Sequence, residues 1–186
     1  MNPNEIEFYH KKGWILSELY KNDEAIECCN KIIEIDPKDP YGYFNKGSML
    51  RLNKKYEEAI EAFNMAIKLI PFEAELYFLK GTCLYKLKKY EEGIEAFNMV
   101  TKLVPSKAKS YYLKGRCLYE LKRHKEAIKT FDKAIKLEPD TLSYHYKGQA
   151  LYRLKEYKKA IEAYNHALNY PQYDNYTYYF KALSLG

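Results

Sequence analysis

Cysteine and histidine are the side chains of this sequence best suited to metal binding or nucleophilic chemistry, but their spacing supports neither. The four cysteines form no Cys-x-x-Cys pair, and the adjacent Cys28 and Cys29 would face different directions on one helix. The four histidines have no ligand spacing, and no Gly-rich phosphate loop, His-Glu-x-x-His or Gly-x-Ser-x-Gly motif occurs. The sequence therefore predicts no catalytic residues, no metal site and no cofactor.

A 34-residue period organises almost every other residue of the chain. Successive glycines are 34, 34, 34 and 33 residues apart, a tyrosine lies four residues before each, and a proline follows each by 23 or 24 residues. Sixteen residues after the glycine stands an aromatic ring in four of five repeats, with Cys29 in the first. A fixed period of this length is typical of stacked helical repeats. The glycines are Gly13, Gly47, Gly81, Gly115 and Gly148.

Each repeat is predicted to form two helices joined by a tight turn. Tyr77, Gly81 and Leu84 recur at steps of four and three, which marks one face of a first helix. The glycine would let the two helices approach closely. This packing offsets the destabilisation of about 1 kcal/mol that glycine causes inside a helix relative to alanine. The proline ends the second helix. Because no single pair can bury its apolar face, neighbouring pairs must stack into one continuous core.

These columns resemble the tetratricopeptide repeat (TPR) from about Ile6 to Gly186. The resemblance implies an all-α, right-handed α-solenoid of stacked antiparallel helix pairs, the TPR superhelix. We expect a single domain spanning 1–186, with repeats at about 6–39, 40–73, 74–107, 108–140 and 141–174 and a terminal half repeat at 175–186. The chain departs from the family in the lysine that precedes each glycine, in Gly93 and in Cys29.

The resemblance also implies a function, which is binding another protein as a non-catalytic scaffold. In this family the other face of the first helices lines a concave groove that commonly holds an extended peptide. Here that face is rich in aromatic and apolar side chains, which suit recognition of an extended or helical segment. Packing between neighbouring helices is the alternative role for the aromatic residues among them. The predicted groove residues are Phe44, Asn45, Phe78, Leu79, Thr82, Tyr112, Leu113, Arg116, Tyr146 and Gln149.

Two other functions stay open because charge and apolar residues are unevenly distributed. Residues 1–39 carry five Lys against nine Asp and Glu (−4), whereas residues 108–140 carry nine Lys and Arg against five acids (+4). The basic fourth and fifth repeats permit nucleic-acid binding. Acids such as Glu126 interrupt the basic run, however, and this favours the interpretation that these lysines form a solvated surface. Tyr179, Phe180 and Leu183 near the C-terminus would support homo-oligomer formation instead.

Location is the last property that composition addresses. No run approaches eighteen apolar residues, so we expect no membrane span. The acidic first residues lack a basic leader, and the cysteines form no disulfide framework. These features predict a cytoplasmic protein.

Overall fold

The computed structural model describes residues 3–170 and 181–184. Over these residues the chain is all α-helical, which confirms the predicted fold class. The helices alternate between the first and second helices of successive repeats. They are α1 Pro3–Glu18, α2 Asn22–Ile35, α3 Pro40–Leu52, α4 Tyr56–Leu69, α5 Ala74–Lys86, α6 Tyr90–Leu103, α7 Ala108–Glu120, α8 His124–Leu137, α9 Thr141–Arg153 and α10 Tyr157–Leu168.

The helices group into two compact units, residues 1–89 and residues 90–186. In the first unit, α1 packs on α2, α2 on α3, α3 on α4 and α4 on α5. In the second unit the same serial packing runs from α6 to α10. Each helix thus contacts mainly its neighbours in sequence, as expected when stability is shared between adjacent repeats.

The turn from first to second helix is a Schellman motif closed by a residue other than glycine. After α7, the Lys122 amide donates to the Tyr119 carbonyl and the Arg123 amide donates to the Leu118 carbonyl, each at 2.9 Å. Lys122 has φ 60°, in the left-handed region that costs an L-residue about 1–2 kcal/mol. The equivalent residues with positive φ are Tyr20, Lys54, Lys88 and Lys155.

Aspartate caps begin some of the first helices after the proline of the preceding repeat. Asp39 Oδ1 accepts a hydrogen bond from the Gly42 amide at 2.8 Å, at the start of α3. Asp140 Oδ1 accepts one from the Ser143 amide at 3.0 Å, at the start of α9. Such caps satisfy amides that have no partner within the helix, so they define where α3 and α9 begin.

The repeated glycine lies against the aromatic ring of the second helix, which is consistent with the predicted close approach of the two helices. A Cβ atom on Gly115 would lie 2.6 Å from Cε1 of Phe131, and one on Gly148 would lie 2.5 Å from Cε1 of Tyr164. Both rings are 0% exposed. Gly13 is different, because the nearest atom to a Cβ there is Cys28 Cβ at 3.3 Å. At Gly47, Gly115 and Gly148 there is therefore no room for any side chain.

We predict that Gly115→Ala lowers the free energy of unfolding by about 1–3 kcal/mol, because the new methyl group overpacks against Phe131 despite the better helix propensity of alanine. Gly13→Ala is the matched control, and we expect it to change the stability by less than about 1 kcal/mol. Urea denaturation followed by circular dichroism measures both values. Equal effects of the two substitutions would contradict the steric explanation.

Candidate functional site

Predicted groove residues on α7 and α9 come together in the second unit. Tyr112 and Arg116 lie one turn apart on α7, and Tyr146 reaches them from α9. The ring centroids of Tyr112 and Tyr146 are 6.0 Å apart, and Arg116 Cζ lies 4.4 Å from the Tyr146 centroid. Arg116 Nη1 also donates to the Tyr112 hydroxyl at 3.5 Å. The guanidinium is therefore held over a tyrosine ring in a cation–π contact.

Two further rings extend this contact into what we call the aromatic cluster, formed by Tyr112, Tyr119, Phe131 and Tyr146. Phe131 stacks on Tyr146 with centroids 6.2 Å apart and an angle of 25° between the rings. Tyr119 meets Tyr146 edge-on, at 6.2 Å and 71°. Phe131 is fully buried, whereas the three tyrosines are half-buried. The cluster therefore joins the core to the surface of α7 and α9.

The electrostatic environment keeps the Tyr112 phenol protonated. Burial raises the pKa of Tyr112 to about 12, and the charge of Arg116 opposes that rise only partly. Near neutral pH the phenol is therefore an uncharged hydrogen-bonding group, and the guanidinium supplies the positive charge of the cluster.

A polar group and an apolar side chain flank the aromatic cluster. Gln149 Nε2 and His145 Nε2 are 3.0 Å apart on α9, and His145 is buried with its ring near those of Tyr146 and Tyr164. Gln149 and Leu113 are both half-buried. The surface thus combines aromatic and aliphatic carbon with an amide and a guanidinium, a composition that fits peptide recognition.

A cavity of about 200 Å³ adjoins the aromatic cluster at Tyr112. Ala108 and Lys109 of α7 line it, together with Leu142 at the start of α9. Leu142 is 42% exposed. Glu138 and Asp140 complete the lining, so the cavity has the volume for one side chain of a ligand and offers it apolar contact with Ala108 and Leu142 beside two carboxylates.

The predicted groove residues of the first unit are more involved in packing. Phe78 is only 8% exposed, so its ring adds little accessible surface. Phe44 and Leu79 pack against the core around Phe63. The Thr82 hydroxyl donates to the Leu79 carbonyl at 2.7 Å. For Phe44 and Phe78, packing within the helical array is thus the better interpretation.

Asn45 has a more open environment in that unit. It is half-buried and lines a small cavity of about 70 Å³ together with Met49 and Trp14. The indole of Trp14 is 66% exposed. At the edge of this cavity, His10 Nε2 lies 3.1 Å from Asp39 Oδ2. This part of the surface offers one exposed aromatic ring and an amide.

Of the residues predicted for self-association, Tyr179 and Phe180 lie outside the described residues. Leu183 is 42% exposed. Sequence analysis overlooked an apolar stripe on α1, formed by the exposed side chains of Phe8, Ile15 and Leu19. Phe8 lies five residues before the repeat glycine of the first repeat, and Ile15 lies two residues after it. The residues at the same offsets in the fourth repeat are Ser110 and Cys117, which are fully buried. This comparison between repeats would have identified the stripe as positions that are buried elsewhere in the chain.

The cysteines lie in the core. Burial raises the pKa of Cys117 to about 12 and that of Cys83 to about 11, which keeps both thiols protonated and unreactive near neutral pH. Among the described residues, no group of three or more His, Cys, Asp and Glu side chains could hold a metal ion. Within residues 3–170 and 181–184, no helix has the length and apolar character needed to cross a membrane.

Family models match most of the sequence. Residues 108–141 and 143–173 each match a model described as tetratricopeptide repeat, and residues 18–100 match the model described as anaphase-promoting complex, cyclosome, subunit 3. The chain belongs to the tetratricopeptide-repeat proteins. TPR families are typically non-catalytic interaction modules, and this membership supports a role as a protein-interaction scaffold. No match is found among curated proteins.

Solved TPR structures share the fold at low sequence identity. A crystal structure of MamA has a TM-score of 0.87 and 21% identity, covering 90% of this chain and 92% of that chain. YrrB, described as a TPR protein with an unusual peptide-binding site, has a TM-score of 0.81 and 20% identity, covering 91% and 87%. Pseudomonas aeruginosa pilF has a TM-score of 0.80 and 18% identity, covering 97% and 83%.

The raised pKa of Tyr112 predicts a loss of stability in alkali. Between pH 10 and 12 the phenol ionises in the unfolded chain but stays protonated in the folded one, so the free energy of unfolding falls as pH rises, by up to about 1.4 kcal/mol per pH unit. Tyr112→Phe lacks this phenol and should lose less stability over the same interval. Urea denaturation at pH 10, 10.5 and 11 tests this, and equal slopes for the two proteins would contradict it.

Proposed function

We propose that this TPR protein is a non-catalytic scaffold that binds an extended or helical peptide segment on the face of its first helices, chiefly through α7 and α9. The observation that carries the proposal is the Arg116 guanidinium held 4.4 Å from the Tyr146 ring centroid within a half-buried aromatic cluster. Arginine and tyrosine are the residue types that most often dominate binding energy at protein interfaces.

The aromatic cluster is suited to binding because much of its geometry is fixed before a ligand arrives. The ring of Tyr146 stacks on the buried ring of Phe131. The hydrogen bond that Arg116 donates to the Tyr112 hydroxyl orients the guanidinium. Side chains that are already ordered lose less conformational entropy on binding. The proposed role of Tyr112, Leu113 and Tyr146 is apolar contact with a ligand.

Polar groups would set the register of the bound segment. Arg116 can donate to a carboxylate or a backbone carbonyl of the ligand, and Gln149 offers an amide next to the same ring. The cavity beside Tyr112 would take one apolar side chain of that segment. We therefore expect ligands that combine an apolar or aromatic residue with a nearby acceptor. On the first unit, Asn45 is the predicted groove residue that best fits a polar contact.

Selection from a displayed library of random twelve-residue peptides tests the proposal. Peptides enriched on the wild-type protein would be labelled and titrated by fluorescence anisotropy. We expect Arg116→Gln to weaken their binding at least about tenfold, since a hydrogen bond to a charged group contributes about 1.5–3 kcal/mol.

Arg123→Gln is the matched control, because this exposed arginine pairs with Glu91 and Glu126 at a helix turn. It should change the affinity less than about twofold. Circular dichroism would establish that both variants are folded. Failure to enrich any peptide, or enriched peptides that bind Arg116→Gln as tightly as wild type, would contradict the proposal.

A further inference from the structure

A second concave surface lies on the other side of α9 from the aromatic cluster. Tyr144, Lys147 and Leu151 follow each other at steps of three and four, so they share one face of this helix. Tyr144 and Tyr146 are two residues apart, which places their side chains about 200° apart around the helix. A ligand on the face of Tyr144 would therefore not touch the aromatic cluster.

The surface is a groove of about 640 Å³ with an apolar base, which we call the outer groove. Its sides come from α8 and α10, and α9 lies along its bottom. Apolar lining comes from Ile128 and Ile135 of α8, Leu151 of α9, Leu154 directly after α9 and Ala163 of α10. From Tyr144 to Leu154 the helix rises about 15 Å, which corresponds to four or five extended residues of a ligand.

The rim of the outer groove is more basic than acidic. Its lining includes four lysines and three acids, and two of the lysines are paired: Lys147 with Asp132 and Lys159 with Glu156, each at 2.6 Å. Lys125 and Lys129 stand exposed on the α8 side. The third acid, Glu162, is exposed on the α10 side, so four lysines against three acids leave the rim one positive charge in excess, and Lys125 and Lys129 place it on the α8 side.

An aromatic stack closes one end of the outer groove. The ring of Tyr144 stacks on His166 with centroids 5.1 Å apart and on Tyr170 with centroids 5.9 Å apart, at angles of 20° and 18°. Tyr144 and His166 both line the groove at this end, where α9 begins and α10 finishes. These contacts hold the Tyr144 ring at this end of the groove.

We propose that the outer groove is a second binding site, which takes a short acidic segment of a partner protein with an apolar side chain between its carboxylates. The apolar side chain would contact the half-buried Ile128 and Leu154, and the carboxylates would approach Lys125 and Lys129. The apolar base favours a protein segment over nucleic acid, whose phosphates gain nothing from aliphatic carbon. Charge complementarity selects acidic segments among peptides.

Fluorescence anisotropy with the full chain and a labelled twelve-residue peptide of the repeating unit Leu-Asp-Glu-Glu tests this site. We expect saturable binding that Lys125→Glu with Lys129→Glu weakens at least about tenfold. The matched control, Lys133→Glu with Lys136→Glu, makes the same charge change on α8 outside the groove and should weaken binding at most about threefold. Equal losses of affinity in the two double variants would mean that the peptide is attracted by the overall positive charge of α8 and not by the groove, which would overturn the proposal.

A second peptide isolates the apolar base of the groove. Replacing each leucine with serine keeps the charge and should weaken binding at least about tenfold, because the buried leucine contact is lost. The same titrations are repeated in the Arg116→Gln background, which disables the site on α7 and α9; the losses caused by the lysine and serine substitutions should persist there, so the outer groove can fail or succeed independently of that site. Equal affinity for the serine peptide, or tighter binding of a twelve-nucleotide oligouridine at the same lysines, would overturn the proposal.

Discussion

The contact between the repeat glycine and the ring sixteen residues later sets how closely the two helices of a pair approach. At Gly47, Gly115 and Gly148 the ring occupies the space where a Cβ atom would stand, within 2.7 Å. Because the ring and the glycine pack so closely, the side of the first helix that carries the glycine must face the second helix of the same pair. The residues on the remaining sides are then left to contact the next repeat or solvent.

This constraint also supports the candidate binding surface. Phe131 meets Gly115 on one side and stacks on Tyr146 on another, so a single buried ring links the helix pair to the aromatic cluster. The position of Tyr146, and through it the contact with Arg116, depends on that ring. A repeat that packs tightly in this way holds its surface aromatic residues in place without a ligand. Both proposed sites use α9, one on each side, because neighbouring helices leave both sides partly open.

The fold was predictable because the 34-residue period repeats each signal five times. Glycine, aromatic and proline columns reinforce one another, so the helix pairs and their close approach at the glycine follow from spacing, whereas the ring that meets the glycine was identified by the structure. The turns were less predictable. Glycine is the usual left-handed residue at a helix end, whereas four of the five turns here use lysine and the first uses Tyr20. Their geometry comes from the surrounding hydrogen bonds rather than from a local residue preference.

Exposure of the site residues could be predicted only in part. A helical period shows which residues share a face, but whether that face is covered depends on the neighbours that pack against it. Phe78 and Tyr112 occupy the same column, yet the first is buried and the second is half-buried within a ring cluster. The outer groove was missed for a similar reason, because it is formed by three helices and no single motif encodes it.

A double-mutant cycle between Gly115 and Phe131 tests the central claim most directly. Valine at position 131 lacks all three ring atoms, Cδ1, Cε1 and Cζ, that a Cβ on Gly115 would meet. If the ring imposes the glycine, Gly115→Ala should be at least about 1 kcal/mol less destabilising in the Phe131→Val background than in the wild type. An unchanged cost of Gly115→Ala in both backgrounds, measured by urea denaturation, would show that something other than this contact requires the glycine.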